Sequence, residues 1–253
     1  MTELQAKTLN ALLAWYEAMG VDEAIGDEPV NRFATATAPP ETLRHPRPSY
    51  EAPAAKIAAA SALPAEAISL RDLEVMVSAF EDCGLKRTAK SLCFARGNEA
   101  ARLMLIGEAP GRDEDLQGKP FVGRAGQLLD RMLAAIGLDE SHVYITNTVY
   151  WRPPGNRTPT PQEVTACAPF LRRQIELLNP AVLVLLGGAA AKNILGVGEG
   201  IMRLRGKWLT YSCAGREIPT LATLHPAYLL RKPEEKRYAW RDLLMLKEAM
   251  EKL

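Results

Sequence analysis

The chain has 253 residues, 47% of them hydrophobic, and its 31 Lys and Arg nearly balance 30 Asp and Glu for a formal net charge of +1. That length suits one large domain or one domain with an appendage, and the apolar share is ample for a core. No run approaches the roughly 20 apolar residues of a membrane helix, and Thr2-Glu-Leu-Gln5 is not the basic flank of a signal peptide, so a cytoplasmic location without membrane partners is expected. Four cysteines, Cys83, Cys93, Cys167 and Cys213, without a Cys-x-x-Cys pair, indicate neither a disulfide scaffold nor a ready zinc site. Charge is uneven: residues 1–80 carry 6 Lys and Arg against 11 Asp and Glu, whereas residues 151–253 carry 16 against 9, which fits a phosphate-facing surface in the C-terminal half.

In chain order, Thr2 and Gln5 form a capping-box pattern, and Leu4, Leu9, Leu12, Leu13, Tyr16 and Met19 recur at helical spacing until Gly20. Residues 1–28 are therefore expected to hold an N-terminal helix. Residues 29–68 form a linker or wrapping segment, because seven prolines between Pro29 and Pro64 forbid a long regular element. From 69 to 253 helices and short apolar strands alternate: a helix at Ser69–Phe80, then strands at Arg102–Ile106, Val143–Thr148, Val182–Leu186 and Ile218–Leu224. Helices at Val122–Ile136, Pro161–Leu178 and Gly188–Leu195 separate them, and a last one starts at Glu235. This pattern predicts an α/β fold, a three-layer α/β/α sandwich around a mostly parallel four-stranded central sheet.

The densest chemistry follows the first strand. Leu103-Met-Leu-Ile-Gly-Glu-Ala-Pro-Gly111 is an apolar run ending in a glycine-punctuated turn, with Glu108, Asp113, Glu114 and Asp115 inside eight residues. Strand ends in one parallel sheet lie side by side, so Glu108, Asn147 and His225 are expected to converge on one crevice. Each has a plainer explanation alone, as a turn acid, a strand-end hydrogen bonder and a structural histidine; together they suggest a site.

Gly107-Glu-Ala-Pro-Gly111, Glu114-Asp115, Gly118-x-Pro-Phe-Val-Gly-x-Ala-Gly126, Tyr144-Ile-Thr-Asn147, Arg152-Pro-Pro-Gly-Asn-Arg157 and His225-Pro-Ala-Tyr228 resemble the uracil-DNA glycosylase superfamily, most nearly its family four, over about residues 78–245. The resemblance implies an enzyme of base-excision repair that flips uracil from single- or double-stranded DNA and cuts its N-glycosidic bond, leaving an abasic site. It implies that Phe121 stacks on the base, that the Asn147 amide pairs with O4 and N3–H, and that Glu114 stands beside C5, where a thymine methyl would clash. His225 would donate to uracil O2, and the backbone of Gly107, Ala109, Pro110 and Gly111 would line the ring edge. Glu108, or Asp113 in its place, would hold the attacking water. Tyr228, Leu229, Leu230, Arg231 and Lys232 resemble a segment that wedges into the duplex and meets phosphate, though they also fit a plain helix start; Arg152 and Arg157 would bind phosphate. No lysine takes a nucleophile position, so a monofunctional hydrolase is expected; a monomer is expected as well.

The chain departs from the family in one respect. Family four carries an iron–sulfur cluster on four cysteines, and the matching positions here are Phe80, Cys83, Trp151 and Cys167, so no cluster and no metal are expected. An alternative to catalysis is a binder of uracil or abasic DNA with little turnover, although such a binder has no need of Glu108, Asn147 and His225 together. A nucleotide-phosphate cradle at Gly107–Gly111 fits less well, since Glu108 would face the phosphate and no P-loop lysine follows.

Overall fold

A computed structural model describes residues 63–252; the helix expected within 1–28 and most of the 29–68 segment lie outside the described residues. The first described element lies ahead of the expected boundary at 69. Leu63–Glu66 forms a 3-10 turn, and the carbonyl of buried Ala67 accepts two bonds from Arg173, at 3.2 and 2.7 Å.

Helix α1 (Leu70–Ala79) starts where Ser69 accepts from the Asp72 amide at 3.1 Å. There follow β1 (Arg96–Gly97), β2 (Leu103–Gly107), α2 (Arg112–Gln117), α3 (Arg124–Ala134), β3 (Val143–Asn147), α4 (Pro161–Leu178) and β4 (Val182–Leu186). The chain continues through α5 (Gly188–Leu195), α6 (Ile201–Leu204), β5 (Trp208–Cys213), β6 (Arg216–Thr223), α7 (Pro226–Arg231) and α8 (Lys236–Met250). Helix α4 carries the fullest start signal, a Thr160–Glu163 capping box ahead of Pro161, and it stops at Asn179 in the left-handed region before Pro180.

The sheet order is β1-β3-β2-β4-β6-β5. The four expected strands form its parallel centre, and the expected count of four is corrected to six by an antiparallel strand on each edge. Both edges escape an apolar-run search for physical reasons. β1 has only two residues. β5 alternates exposed and covered side chains and joins β6 through Ala214-Gly215, both at positive φ (48° and 74°), a two-residue hairpin turn without the Asn-Gly or Asp-Gly that usually marks one.

Strand periodicity sorts the core into two faces. Met104, Ile106, Tyr144, Leu183 and Leu185 meet Leu171 and Ile175 of α4 and Ala190 and Ala191 of α5. Their neighbours Leu103, Leu105, Val143, Ile145, Val182 and Val184 meet Leu129 and Leu133 of α3 and Leu243 and Leu246 of α8. Helices thus cover both faces, and the three-layer arrangement places the strand carboxyl ends on one rim.

Candidate active site

A cavity of about 440 Å³ opens on that rim. Glu108, Ala109, Pro110, Gly111, Glu114, Phe121, Asn147, Arg157, His225, Tyr228 and Arg231 line it, so Glu108, Asn147 and His225, from the ends of three strands, do share one crevice. In the register, Gly107 of β2 sits opposite Asn147 of β3.

Asn147 has no exposed surface, and among the described residues neither its Nδ2 nor its Oδ1 has a hydrogen-bond partner. Buried polar atoms are nearly always satisfied, so a donor and an acceptor left open side by side on a cavity wall mark a place for a ligand with the opposite pair. Gly107 makes the approach possible, since a Cβ there would lie 2.5 Å from both Asn147 Oδ1 and Phe121 Cζ. Phe121 itself holds φ 55°, costly for an aromatic residue and common where function fixes a conformation. Its ring centroid is 5.6 Å from that of His225, at 31° between planes.

Glu114 has a different immediate task from the one the resemblance implies. One carboxylate oxygen accepts from the Gly111 amide at 3.1 Å, and the other accepts from the Val122 and Gly123 amides at 3.0 and 2.9 Å. It therefore staples the turn after β2 to the turn that carries Phe121. The run Asp113-Glu114-Asp115 is the first turn of α2, where carboxylates favour the helix dipole. Asp115 is buried and accepts from the Lys90 and Ser91 amides at 2.7 and 3.1 Å. Asp113 is exposed and does not line the cavity, which corrects its place as a rival water holder. Glu108 does line the cavity, and Thr148 Oγ1 donates to the Glu108 carbonyl at 2.7 Å, fixing the peptide from which its side chain departs.

His225 caps α7: the Ala227 amide donates to His225 Nδ1 at 3.1 Å. A nitrogen that accepts cannot carry the proton, so the neutral ring bears it on Nε2 and can donate there. Burial, helped by the Arg231 charge, lowers its pKa to about 4, which keeps the ring neutral near pH 7. Gly187, at the end of β4 with φ 95°, gives the ring its room, because a Cβ there would sit 2.9 Å from His225 Cβ. Gly187 supports the site from behind the His225 ring and is not among the residues the motifs single out; Gly187-Gly188 directly after an apolar strand is the signal for it.

The expected DNA-facing residues divide. Tyr228 and Arg231 line the cavity mouth, and Lys232 is exposed with its ammonium 5.9 Å from the Tyr228 ring centre. The segment is helix α7, the plainer of the two alternatives, and it turns Leu229 inward: Leu229 is fully buried with Leu128, Leu224 and Ala239, which corrects its assignment as a wedge. Leu230 is only partly covered. Arg157 is exposed and forked onto Glu163 at 2.8 and 2.7 Å, an arrangement that pulls the Glu163 pKa down to about 2. Arg152 does not line the cavity; its Nε donates to Asn156 Oδ1 at 2.7 Å and its guanidinium lies 4.0 Å from Asp115.

The four positions aligned with cluster ligands do come together. Phe80, Cys83, Trp151 and Cys167 share one buried cluster, with the two sulfurs 3.9 Å apart and the Phe80 ring centroid 4.8 Å from that of Phe170. Cys93 instead donates to the Glu114 carbonyl at 3.2 Å, and Cys213 lies on β5, 3.9 Å from the Arg172 carbonyl. Two thiols and two aromatic rings do not fit a four-thiolate cluster, and the remaining cysteines stand elsewhere.

The fold and this rim describe an α/β protein whose strand carboxyl ends carry a cavity lined by an aromatic ring, an amide without a hydrogen-bond partner among the described residues, and a neutral imidazole. Residues 94–244 match the Uracil DNA glycosylase superfamily, and the chain belongs to that family. Among curated relatives, the Type-4 uracil-DNA glycosylase of Archaeoglobus fulgidus is 44% identical over 170 residues, covering 66% of this chain and 85% of the relative. The Type-4 uracil-DNA glycosylases of Saccharolobus solfataricus, 41% identical over 67% of this chain and 81% of the relative, and of Thermotoga maritima, 43% identical over 59% and 77%, are similar in the same way.

Proposed function

We propose that the protein hydrolyses the N-glycosidic bond of uracil turned out of DNA and leaves an abasic site. The observation that carries this reading is the pair of unpartnered, buried atoms of Asn147 beside a stacking ring. Uracil presents an acceptor at O4 and a donor at N3–H, which match Nδ2–H and Oδ1. Cytosine presents the reverse at both positions, and a mismatched buried amide is rejected strongly.

Cleavage leaves negative charge on the departing uracil. The neutral imidazole of His225, with Nδ1 held by Ala227, aims its Nε2–H at the base, where it strengthens a bond to O2 as charge develops. In the Gly107–Gly111 turn Pro110 has no N–H and the Gly111 amide is held by Glu114, so the Ala109 amide is the one that would serve the same anion. Glu108 on the cavity wall would hold the water, and as an anion it favours a sugar with oxocarbenium character. Among the described residues no lysine lines the cavity, so the reading is hydrolysis rather than a Schiff-base lyase step. We read the enzyme as cluster-free and monomeric, located in the cytoplasm and active on single- and double-stranded DNA, with Leu230 filling the vacated stack and Arg231, Lys232 and Arg157 meeting phosphate.

The test is strand scission by alkali after incubation with uracil-containing and thymine-containing oligonucleotides, comparing the protein with Glu108→Ala and His225→Ala. Cleavage confined to uracil, with kcat reduced about 100-fold or more in each variant, is expected. Binding of uracil or abasic DNA without scission would move the protein to the damage-binding alternative.

A further inference from the structure

The buried cluster beside the cavity holds a pair of thiols that the glycosylase reading leaves unused. Cys83 and Cys167 are 84 positions apart in sequence, only 1% and 0% exposed, and their sulfurs lie 3.9 Å apart. Cys83 stands just before the 3-10 turn Gly84–Arg87, and Cys167 faces it from α4. Phe80, Trp151 and Phe170 pack around them in the same cluster, so the two sulfurs are held face to face. A disulfide needs about 2.05 Å between sulfurs, leaving a gap of roughly 2 Å that a side-chain rotation can close.

We infer that Cys83 and Cys167 are an oxidative cross-linking site, closed by a hydroperoxide, that ties the chain around residue 83 to α4 where the residues present do not fit a four-cysteine cluster. One sulfur takes a hydroxyl oxygen from hydrogen peroxide, releasing the first water and forming a sulfenic acid. The second sulfur displaces that hydroxyl, releasing the second water and forming the S–S bond. The two thiols lose two electrons and two protons, and the peroxide is reduced to two waters. The other cysteines are placed differently: Cys93 is held by the Glu114 carbonyl, and burial with the nearby Asp115 and Glu114 charges raises its pKa to about 12. Cys213 lies on edge strand β5 beside Arg172 and Glu176.

The experiment treats the reduced full-length protein with hydrogen peroxide, quenches it, and alkylates it in denaturant before intact-mass and non-reducing peptide analysis. The expected result is a monomer lighter by two hydrogens with two alkylated cysteines, and one peptide pair joining Cys83 to Cys167. Its melting midpoint should rise by about 5–10 °C and return on treatment with dithiothreitol. A Cys93→Ser/Cys213→Ser variant should give the same peptide pair. Four alkylated cysteines, sulfinic acid at Cys83 or Cys167, or a linkage through Cys93 or Cys213 would overturn the inference. So would the expected linkage accompanied by a lowered midpoint, which would mean that it forms only in unfolded chains.

Discussion

Replacing Asn147 by alanine should separate activity from stability, because the same two atoms act oppositely in the two. In the free protein Nδ2 and Oδ1 are desolvated without partners, a state that costs about 1–3 kcal/mol. Truncation removes that cost, and the volume it vacates adjoins the cavity that Asn147 lines. A net gain of about 1 kcal/mol should raise the melting midpoint by about 2–4 °C for a folded body of this size. With uracil in place, the side chain makes two hydrogen bonds on a base that is gaining charge, together worth about 4 kcal/mol. At 1.36 kcal/mol per decade, kcat/KM should fall about 1000-fold. Thermal melting and single-turnover excision on the same preparation read both quantities. A midpoint lowered by several degrees would mean that Asn147 has a structural partner, and activity within tenfold of the parent would remove the amide from base recognition.

Three further outcomes follow from the same geometry. Gly107→Ala puts a Cβ 2.5 Å from Asn147 Oδ1 and Phe121 Cζ, and a displacement of about 1 Å at the base should lower kcat/KM about 100-fold in steady-state excision assays. His225 has a folded pKa of about 4, below its ordinary 6.5, so an unfolded chain binds more protons between those values. Stability from this group is therefore complete above about pH 6.5 and lost as pH falls toward 4, as urea titrations across that range would show; Arg231→Ala should move the lower end upward. Leu229→Ala should cost about 2–5 kcal/mol in denaturant unfolding, whereas Leu230→Ala should leave stability within about 0.5 kcal/mol and slow excision from duplex far more than from single strands; equal behaviour of the two leucines would refute the burial argument.

Much of this site is legible in the sequence alone. The parallel centre of the sheet is written in apolar runs, because a strand covered on both faces needs no polar positions, and Pro161–Leu178 is bounded by a capping box and an Asn-Pro stop. Glu108, Asn147 and His225 meet because strand order brings their strand ends to one rim. What stayed hidden depends on side-chain direction. Nothing in Tyr228-Leu-Leu-Arg says which leucine turns inward until α7 packs on Leu128 and Ala239. Nor can a run of carboxylates reveal that Glu114 binds three amides, that Asp115 is buried and that Asp113 faces solvent.

The Glu114 staple gives the slot a fixed gauge. One carboxylate joins the turn after β2 to the turn bearing Phe121, so the two walls that grip a base are one mechanical part and cannot spread independently. On the proposed function, the width of the slot would then be set by a residue that need not touch the reacting atoms, while the hydrogen-bond match at Asn147 tells uracil from cytosine of the same width.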